Sequence, residues 1–473
     1  MNLSVVFAKR VFVVRKSPVW YSAMSIRSFN PSDLDPFMIR IFCLVIATSV
    51  MLLMSSAVVH GAELHAGVAR VDLTPPLSMK APLGGYGERL NRPATGVHDR
   101  IFAKALVVSD GRKKFAIVTA DMLGFPPPFK QAVLDQLDDP SWTHERVMLL
   151  PSHSHTSIEM NAINPLNVYQ IPQIGIHDPK LFEFTVANFA QAIHAAEAKL
   201  VPVTIGTTST QTQGFNRNRR ARRGKVDPEL TLTRIDQADG RALAVLVNFT
   251  AHPTFMSGED MWFSAGWPGH LQRTLESLIR QDVTVMYYNG AEGDQSPIAR
   301  PGSGESHWER AETYGRDLAV IAFRQWRTIT LRPSVIFQTV RQTITLPPRA
   351  WHPNFKETGG KEYGLTEEVL KEMLPKMFPT TSASIAVRLG DLVIVGVPGE
   401  LAVELGLEIK KDTELITGAK HPVIGGLADE WVSYILSAEE YDRGGYEASV
   451  SFYGRDLGRQ VVEAALQGVR RLQ

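Results

Sequence analysis

Short apolar runs punctuated by turn residues alternate along this chain with stretches of helical periodicity. Residues 102–109 and 115–120 are apolar runs on either side of Asp110-Gly111, a hairpin signal. Residues 147–150 form a further apolar strand that runs straight into Ser152-His153-Ser154-His155. Residues 241–249 follow an Asp239-Gly240 turn and end at Thr250-Ala251-His252. Residues 283–288 precede Asn289-Gly290, and residues 392–397 precede Pro398-Gly399-Glu400. Apolar positions at helical spacing predict helices near 268–281, 308–325, 366–377, 401–411 and 457–467. Alternating strands and helices predict an α/β fold, with mixed β-sheets flanked by helices in a single large domain. The Pro- and Gly-rich stretch 346–360 is expected to be a loop over a site rather than a domain linker.

One apolar run does not fit that pattern. Residues 41–59, IFCLVIATSVMLLMSSAVV, follow Arg40 and precede small residues at Gly61 and Ala62, the three parts of a secretory signal. Met38 stands where such a signal would begin, and Lys9, Arg10, Arg15, Lys16 and Arg27 precede it as an over-extended start or a long basic region. The expectation is an N-terminal extension and signal peptide over 1–62 and a catalytic domain over 63–473. The protein would then be exported, to the periplasm or beyond. The alternative is an uncleaved anchor, because the run approaches the ~20 residues of a spanning helix.

Composition narrows the chemistry. The 473 residues are 44% hydrophobic and 21% charged, enough for a sizeable core in one large domain or two. Lys plus Arg is 50 against Asp plus Glu 49, a net charge of +1, which argues against an electrostatic nucleic-acid binder. The single cysteine, Cys43, lies inside the presumed signal, so no internal disulfide and no cysteine-based zinc knuckle can form. Export without disulfides suits a bacterial envelope protein. Any metal site must use His, Asp, Glu or Tyr.

His153, His252 and Glu400 each lie just past an apolar strand, and the carboxyl ends of strands are where open α/β sheets bind ligands. In extended chain the imidazoles of His153 and His155 point the same way, because side chains alternate with period two. They could serve as two metal ligands, as ligand plus acid/base, or as surface histidines. His252, between a strand end and Pro253, fits a structural histidine or a ligand. Glu400 is expected to open a helix, where the dipole favours a carboxylate. Asn289 to Pro297 is a polar, Gly-rich loop able to approach a substrate closely. It is neither a phosphate-binding loop nor a nucleophile elbow, since no Gly-Lys-Ser/Thr follows and Ser296 precedes Pro297. Tyr434 and Tyr446, with Trp431 nearby, fit a core or a pocket wall.

Taken in order, these segments resemble the N-terminal catalytic domain of the neutral/alkaline, non-lysosomal ceramidases. The resemblance runs from Ala66-Gly67-Val68-Ala69-Arg70 through Pro82-Leu83-Gly84-Gly85-Tyr86, Ser152-His153-Ser154-His155 and Phe215-Asn216-Arg217. It continues through Gly293-Asp294-Gln295-Ser296-Pro297, Pro398-Gly399-Glu400 and the tyrosine-rich segment Tyr434 to Glu447. It implies a zinc-dependent amidohydrolase that cleaves the N-acyl bond of ceramide, or of a similar lipid-like substrate, into a sphingoid base and a fatty acid. By position, His153, His252, Glu400 and Tyr434 would bind Zn2+, while His155, Arg217 and Tyr446 would line the reacting centre beside Ser296. Zinc-activated water is the expected nucleophile and Ser296 a positioning group, with an acyl-forming Ser296 as the second mechanism. Full-length members carry a C-terminal β-sandwich for which this chain is expected to have no room. Gln295 replaces the family's Val, and the Arg-rich run 217–223 lacks the Ser-Pro that often follows its Asn-Arg. That run could meet an anionic headgroup, at a transient membrane-surface contact, or be a solvated loop. Other readings are a metal-dependent hydrolase of other amides or esters, and a catalytically silent envelope binding protein.

Overall fold

A computed structural model describes residues 61–472, so the apolar run at 41–59 and what was expected of it lie outside the described residues. Among the described residues no helix is long and apolar enough to cross a membrane. Eight long strands make the main sheet. They are β1 (Ala62–Asp72), β2 (Phe102–Ser109), β3 (Lys114–Ala120), β4 (Val147–Pro151), β5 (Val201–Gln211), β6 (Glu229–Gln237), β7 (Ala242–Phe249) and β8 (Thr284–Asn289). Their order is β8-β7-β6-β5-β1-β2-β3-β4, with Ser334–Val335 added beside β1. Only the two outer pairs, β7 with β8 and β3 with β4, are parallel. A second sheet of β9 (Phe337–Thr345), β10 (Thr381–Leu389), β11 (Leu392–Gly396) and β12 (His421–Gly425) runs in sequence order, with β11 and β12 parallel.

Strands buried on both faces read as nearly continuous apolar runs, and here both sheets have two covered faces. Leu106, Ile117 and Leu150 on the main sheet share one buried cluster with Ile385, Val387 and Ile394 on the second. The outer face of the main sheet is covered near β2 and β3 by α1 (Phe129–Leu137) and α2 (Pro179–Glu197). Near β7 and β8 it is covered by α3 (Gly266–Ile279) and α4 (His307–Trp326). The outer face of the second sheet packs on α5 (Glu367–Met377), α6 (Val403–Thr417) and α7 (Leu457–Val469). The result is four layers, helix–sheet–sheet–helix.

Local signals set several boundaries. Asp178 caps α2, accepting from the Lys180 and Leu181 amides, with Pro179 in the first turn where a missing N–H costs nothing. Ser306 and Glu309 form a reciprocal capping box on α4. The expected helices at 268–281, 308–325, 366–377 and 457–467 appear within a few residues of those bounds. The expected helix at 401–411 also appears, as α6 from Val403, but Glu400 does not open it: Glu400–Leu401 is a short strand parallel to Tyr434–Ile435. Strand pairing, with the Glu400 amide on the Ser433 carbonyl, therefore positions Glu400, and a helix dipole does not.

One buried ion pair ties the layers together next to the strand ends. Lys130 on α1 donates to Asp429 at 2.7 Å and to the His144 carbonyl, while the other Asp429 oxygen accepts from the Leu149 amide of β4. Both side chains are buried. Lys130→Met would strand the Asp429 charge, and we expect a loss of about 3–5 kcal/mol in urea denaturation. A loss below about 1 kcal/mol would show that the pair is not a structural tie.

Candidate metal centre and pocket

The parallel strand ends deliver the polar groups. Pairing of β4 with β3 continues through the Ser152 amide to the Ala120 carbonyl, and then the chain turns sharply at His153, whose φ is 65°. A non-glycine residue in this region is strained, and such strain collects at functional sites. The extended geometry expected for His153 and His155 is thus absent. The turn itself brings the two rings edge to face, with centroids 4.8 Å apart. Gly85, at φ 94°, lies against His155, where a Cβ would sit 2.4 Å from Nδ1. His252 follows β7, its amide bonded to the Gln295 carbonyl. Glu400 follows β11 and pairs in register with Tyr434.

Hydrogen bonds fix which atoms face inward. His153 Nδ1 meets the Leu123 carbonyl at 2.6 Å, and His252 Nδ1 meets the carbonyls of Glu292 and Gln295 at 2.7 and 3.1 Å. Carbonyls only accept, so both Nδ1 atoms carry the protons and both Nε2 atoms present lone pairs. Those lone pairs point at Glu400 Oε2, 3.4 Å from His153 and 3.1 Å from His252. His155 Nε2 lies 3.3 Å from His153 Nε2. The Trp431 indole donates to the other Glu400 oxygen at 2.9 Å. Acceptors facing one another in a buried space repel unless a cation lies among them. Ligands held at ~2.0–2.2 Å from a single ion with tetrahedral angles sit about 3.3–3.6 Å apart, close to what is seen here. The donor set fits a divalent metal, and His153, His155 and His252 form a metal-competent cluster, as do His153, Glu292 and Glu400.

The charge states agree with this. Burial, reinforced by the Arg219 charge, pushes His252 down to about 4, so its imidazole is neutral at pH 7. Burial and the neighbouring His153 and His252 likewise hold His155 well below its usual value. For Glu400 burial opposes ionisation, but charge on and hydrogen bonds from His153 and His252, whenever those rings take up a proton, outweigh it and hold the carboxyl well below its usual value.

Above the cluster, Tyr434 is buried and its hydroxyl accepts from Arg219 Nη2 at 3.0 Å. Burial and the Glu400 charge keep that phenol protonated far above its ordinary range. Arg219 is anchored by Glu447 at 2.7 Å. Tyr446 packs edge-on to Tyr434 and shares a 2.6 Å hydrogen bond with Tyr363. Tyr434, Tyr446 and Tyr363 line one end of a pocket whose walls include the apolar Leu123, Met373, Met377, Phe378, Trp431 and Phe452, with Glu159, Asn161 and Gln173 also on its lining.

Six of the eight residues singled out in the sequence meet here: His153, His155, His252, Glu400, Tyr434 and Tyr446. Ser296 and Arg217 do not. They pair with each other across the short strands Gln295–Pro297 and Asn216–Asn218, and line a separate hollow with Phe255, His307 and Arg310. Arg217 is exposed. The guanidinium that enters the site belongs to Arg219, because the chain bends after Asn218 and the Arg219 amide bonds the Asp294 carbonyl. The repeat Asn216-Arg217-Asn218-Arg219 offers two candidates of the same strand parity, so alternation alone does not choose between them. The Arg-rich run is divided: Arg220 pairs with Glu440 and Glu447, whereas Arg217, Arg222 and Arg223 are exposed. Trp431, expected as core or pocket wall, lines the pocket, and Tyr363 joins it unannounced. Trp431 stood beside the tyrosine segment, whereas nothing near Tyr363 marks it.

Fold and site together define an α/β protein with a metal-competent His/Glu centre at the end of a half-apolar pocket. The family profile for neutral/alkaline non-lysosomal ceramidase, N-terminal, matches residues 64–301 and 330–461, and the chain belongs to that family. It is similar to the neutral ceramidase of Pseudomonas aeruginosa, 21% identical over 466 residues, covering 82% of this chain and 69% of the relative. It is also similar to the neutral ceramidase of Mycobacterium tuberculosis, 22% identical over 461 residues, covering 78% and 71%. The crystal structure of the Pseudomonas aeruginosa neutral ceramidase superposes with a TM-score of 0.74 at 19% identity, covering 87% of this chain and 74% of that one.

The lowered pKa values carry a sign. An unfolded chain takes up protons on His155 and His252 near pH 6.5, and on Glu400 near 4.5, while the folded metal-free site resists them. The unfolded state then binds more protons, so metal-free protein should lose stability as pH falls from about 6.5 towards 4. Urea midpoints of chelator-treated protein measured across this range check it, and midpoints that rise on acidification would contradict it.

Proposed function

We propose that this protein is a zinc-dependent hydrolase of N-acyl lipids, ceramidase-like, releasing a fatty acid and a sphingoid base. The observation that carries the reading is the set of inward lone pairs on His153, His252 and Glu400 at the polar end of an apolar pocket. An acyl chain suits the apolar walls, and an amide suits the polar end. A bound zinc ion supplies Lewis-acid polarisation of the amide carbonyl and acidification of water. His155, neutral and open to the pocket, is placed to take a proton from the attacking water and deliver it to the leaving amine. Arg219 and the protonated Tyr446 hydroxyl are the donors nearest to where an oxyanion would develop. Tyr434 as a fourth ligand rests on family resemblance. Ser296, in the neighbouring hollow, has no part in bond breaking here. In the same reading the catalytic domain spans 63–473 and is exported, which the basic residues followed by the apolar run at 41–59 support.

The test is fatty-acid release from a panel of N-acyl sphingoid bases, other N-acyl amides and fatty esters, with zinc supplied. Arg219→Ala should lower kcat by about 10²–10³, the usual loss for an oxyanion donor, while Ser296→Ala and Arg217→Ala stay within about threefold of the parent. No turnover of any N-acyl lipid would defeat the reading. Loss of activity in Ser296→Ala with metal retained would restore the serine mechanism.

A further inference from the structure

The loop that follows β8 holds a carboxyl group that the reaction described above does not use. Glu292 is fully buried, and neither of its side-chain oxygens has a hydrogen-bond partner among the described residues. Its backbone carbonyl accepts from His252 Nδ1, so the residue is fastened directly to one of the inward histidines. The Gly293 amide on the Leu401 carbonyl and the Gln295 amide on the Glu292 carbonyl pin the loop on either side. Space for the carboxyl is kept by Gly426, where a Cβ would lie 2.3 Å from Glu292 Oε2 and 2.1 Å from the Gly290 carbonyl oxygen.

A buried carboxyl without donors can stay ionised only where a cation compensates it, and otherwise holds its proton. The nearest place for a cation is already defined. One ligand atom each from Glu292, His153 and Glu400 lie within 4.8 Å of one another. Two oxygen or nitrogen ligands at ~2.0–2.2 Å from the same ion can be at most about 4.4 Å apart, so a shift of a few tenths of an ångström brings all three onto one ion. Charge balance points the same way. Two neutral imidazoles with Glu400 alone leave a divalent ion half neutralised in a dry site, and a second carboxylate completes the balance.

We propose that Glu292 is a further protein ligand of the metal, beside His153, His252 and Glu400. This rests on the metal-hydrolase reading above. The experiment compares metal-stripped parent and Glu292→Gln, both full chain, titrated with Zn2+ against a chromophoric chelator and with Co2+ by visible absorption. The parent should take up one equivalent. Glu292→Gln should bind zinc at least about 100-fold more weakly, beyond the 10–100-fold typical of an outer-shell partner, and its cobalt band should change in position and intensity. The metal-free variant should melt no lower than the metal-free parent, because the carboxyl that is replaced makes no hydrogen bond there. Should Glu292→Gln not fold, Glu292→Asp, which keeps the charge but withdraws it by one methylene, is read by the same cobalt band. Unchanged zinc affinity overturns the proposal. So does weaker binding with an unchanged cobalt band, since that marks an outer-shell role. A parent that binds no metal would defeat the hydrolase reading itself, which sets that outcome apart from failure of Glu292 alone.

Discussion

Two imidazole lone pairs are held 3.4 and 3.1 Å from one carboxylate oxygen, with no proton on the facing nitrogens to separate them. Left alone, that arrangement repels itself. It persists because each participant is fixed from behind: His153 by the Leu123 carbonyl, His252 by the carbonyls of Glu292 and Gln295, and Glu400 by the Trp431 indole. These backing bonds set the tautomers, and in metalloproteins such partners orient the ligands and raise their basicity. The rest of the site is arranged around this repulsion and around the cation that relieves it.

The four-layer fold explains how so many constraints reach one point. Each of the three groups sits on a loop leaving the carboxyl end of a strand, two from the main sheet and one from the second sheet. Because the sheets pack face to face, these loops rise side by side instead of on opposite surfaces. The Lys130–Asp429 pair then locks the segment bearing Trp431 to β4 and α1. The apolar pocket wall comes from α5 and the loops around it, so chemistry and substrate binding are supplied by different layers.

Much of this was legible in the residues. Apolar runs ending in His153, His252 and Glu400 mark strand ends, and strand ends are where a mixed sheet gathers ligands. Less visible were strands such as β5, whose threonine-rich sequence is half-buried and lacks a continuous apolar run, and α2, whose apolar positions are diluted by alanine. Period-two alternation gave the right meeting of His153 and His155 for the wrong reason, because a left-handed turn and not an extended strand brings them together. The choice between Arg217 and Arg219 depends on a bend after Asn218, and Ser296 lies outside the pocket because it pairs with Arg217. Both are tertiary facts that no local pattern carries. Glu292 stood in a loop already marked as polar and Gly-rich, but only burial without a partner singles it out.

The central claim is that the fold holds a metal through His153 and His252. Zinc K-edge X-ray absorption on stoichiometrically loaded protein reads it directly. The account predicts a shell of nitrogen and oxygen only, with the multiple-scattering signature of at least two imidazoles and no sulfur. A protein that takes up no zinc, or a spectrum with fewer than two imidazoles, would contradict it.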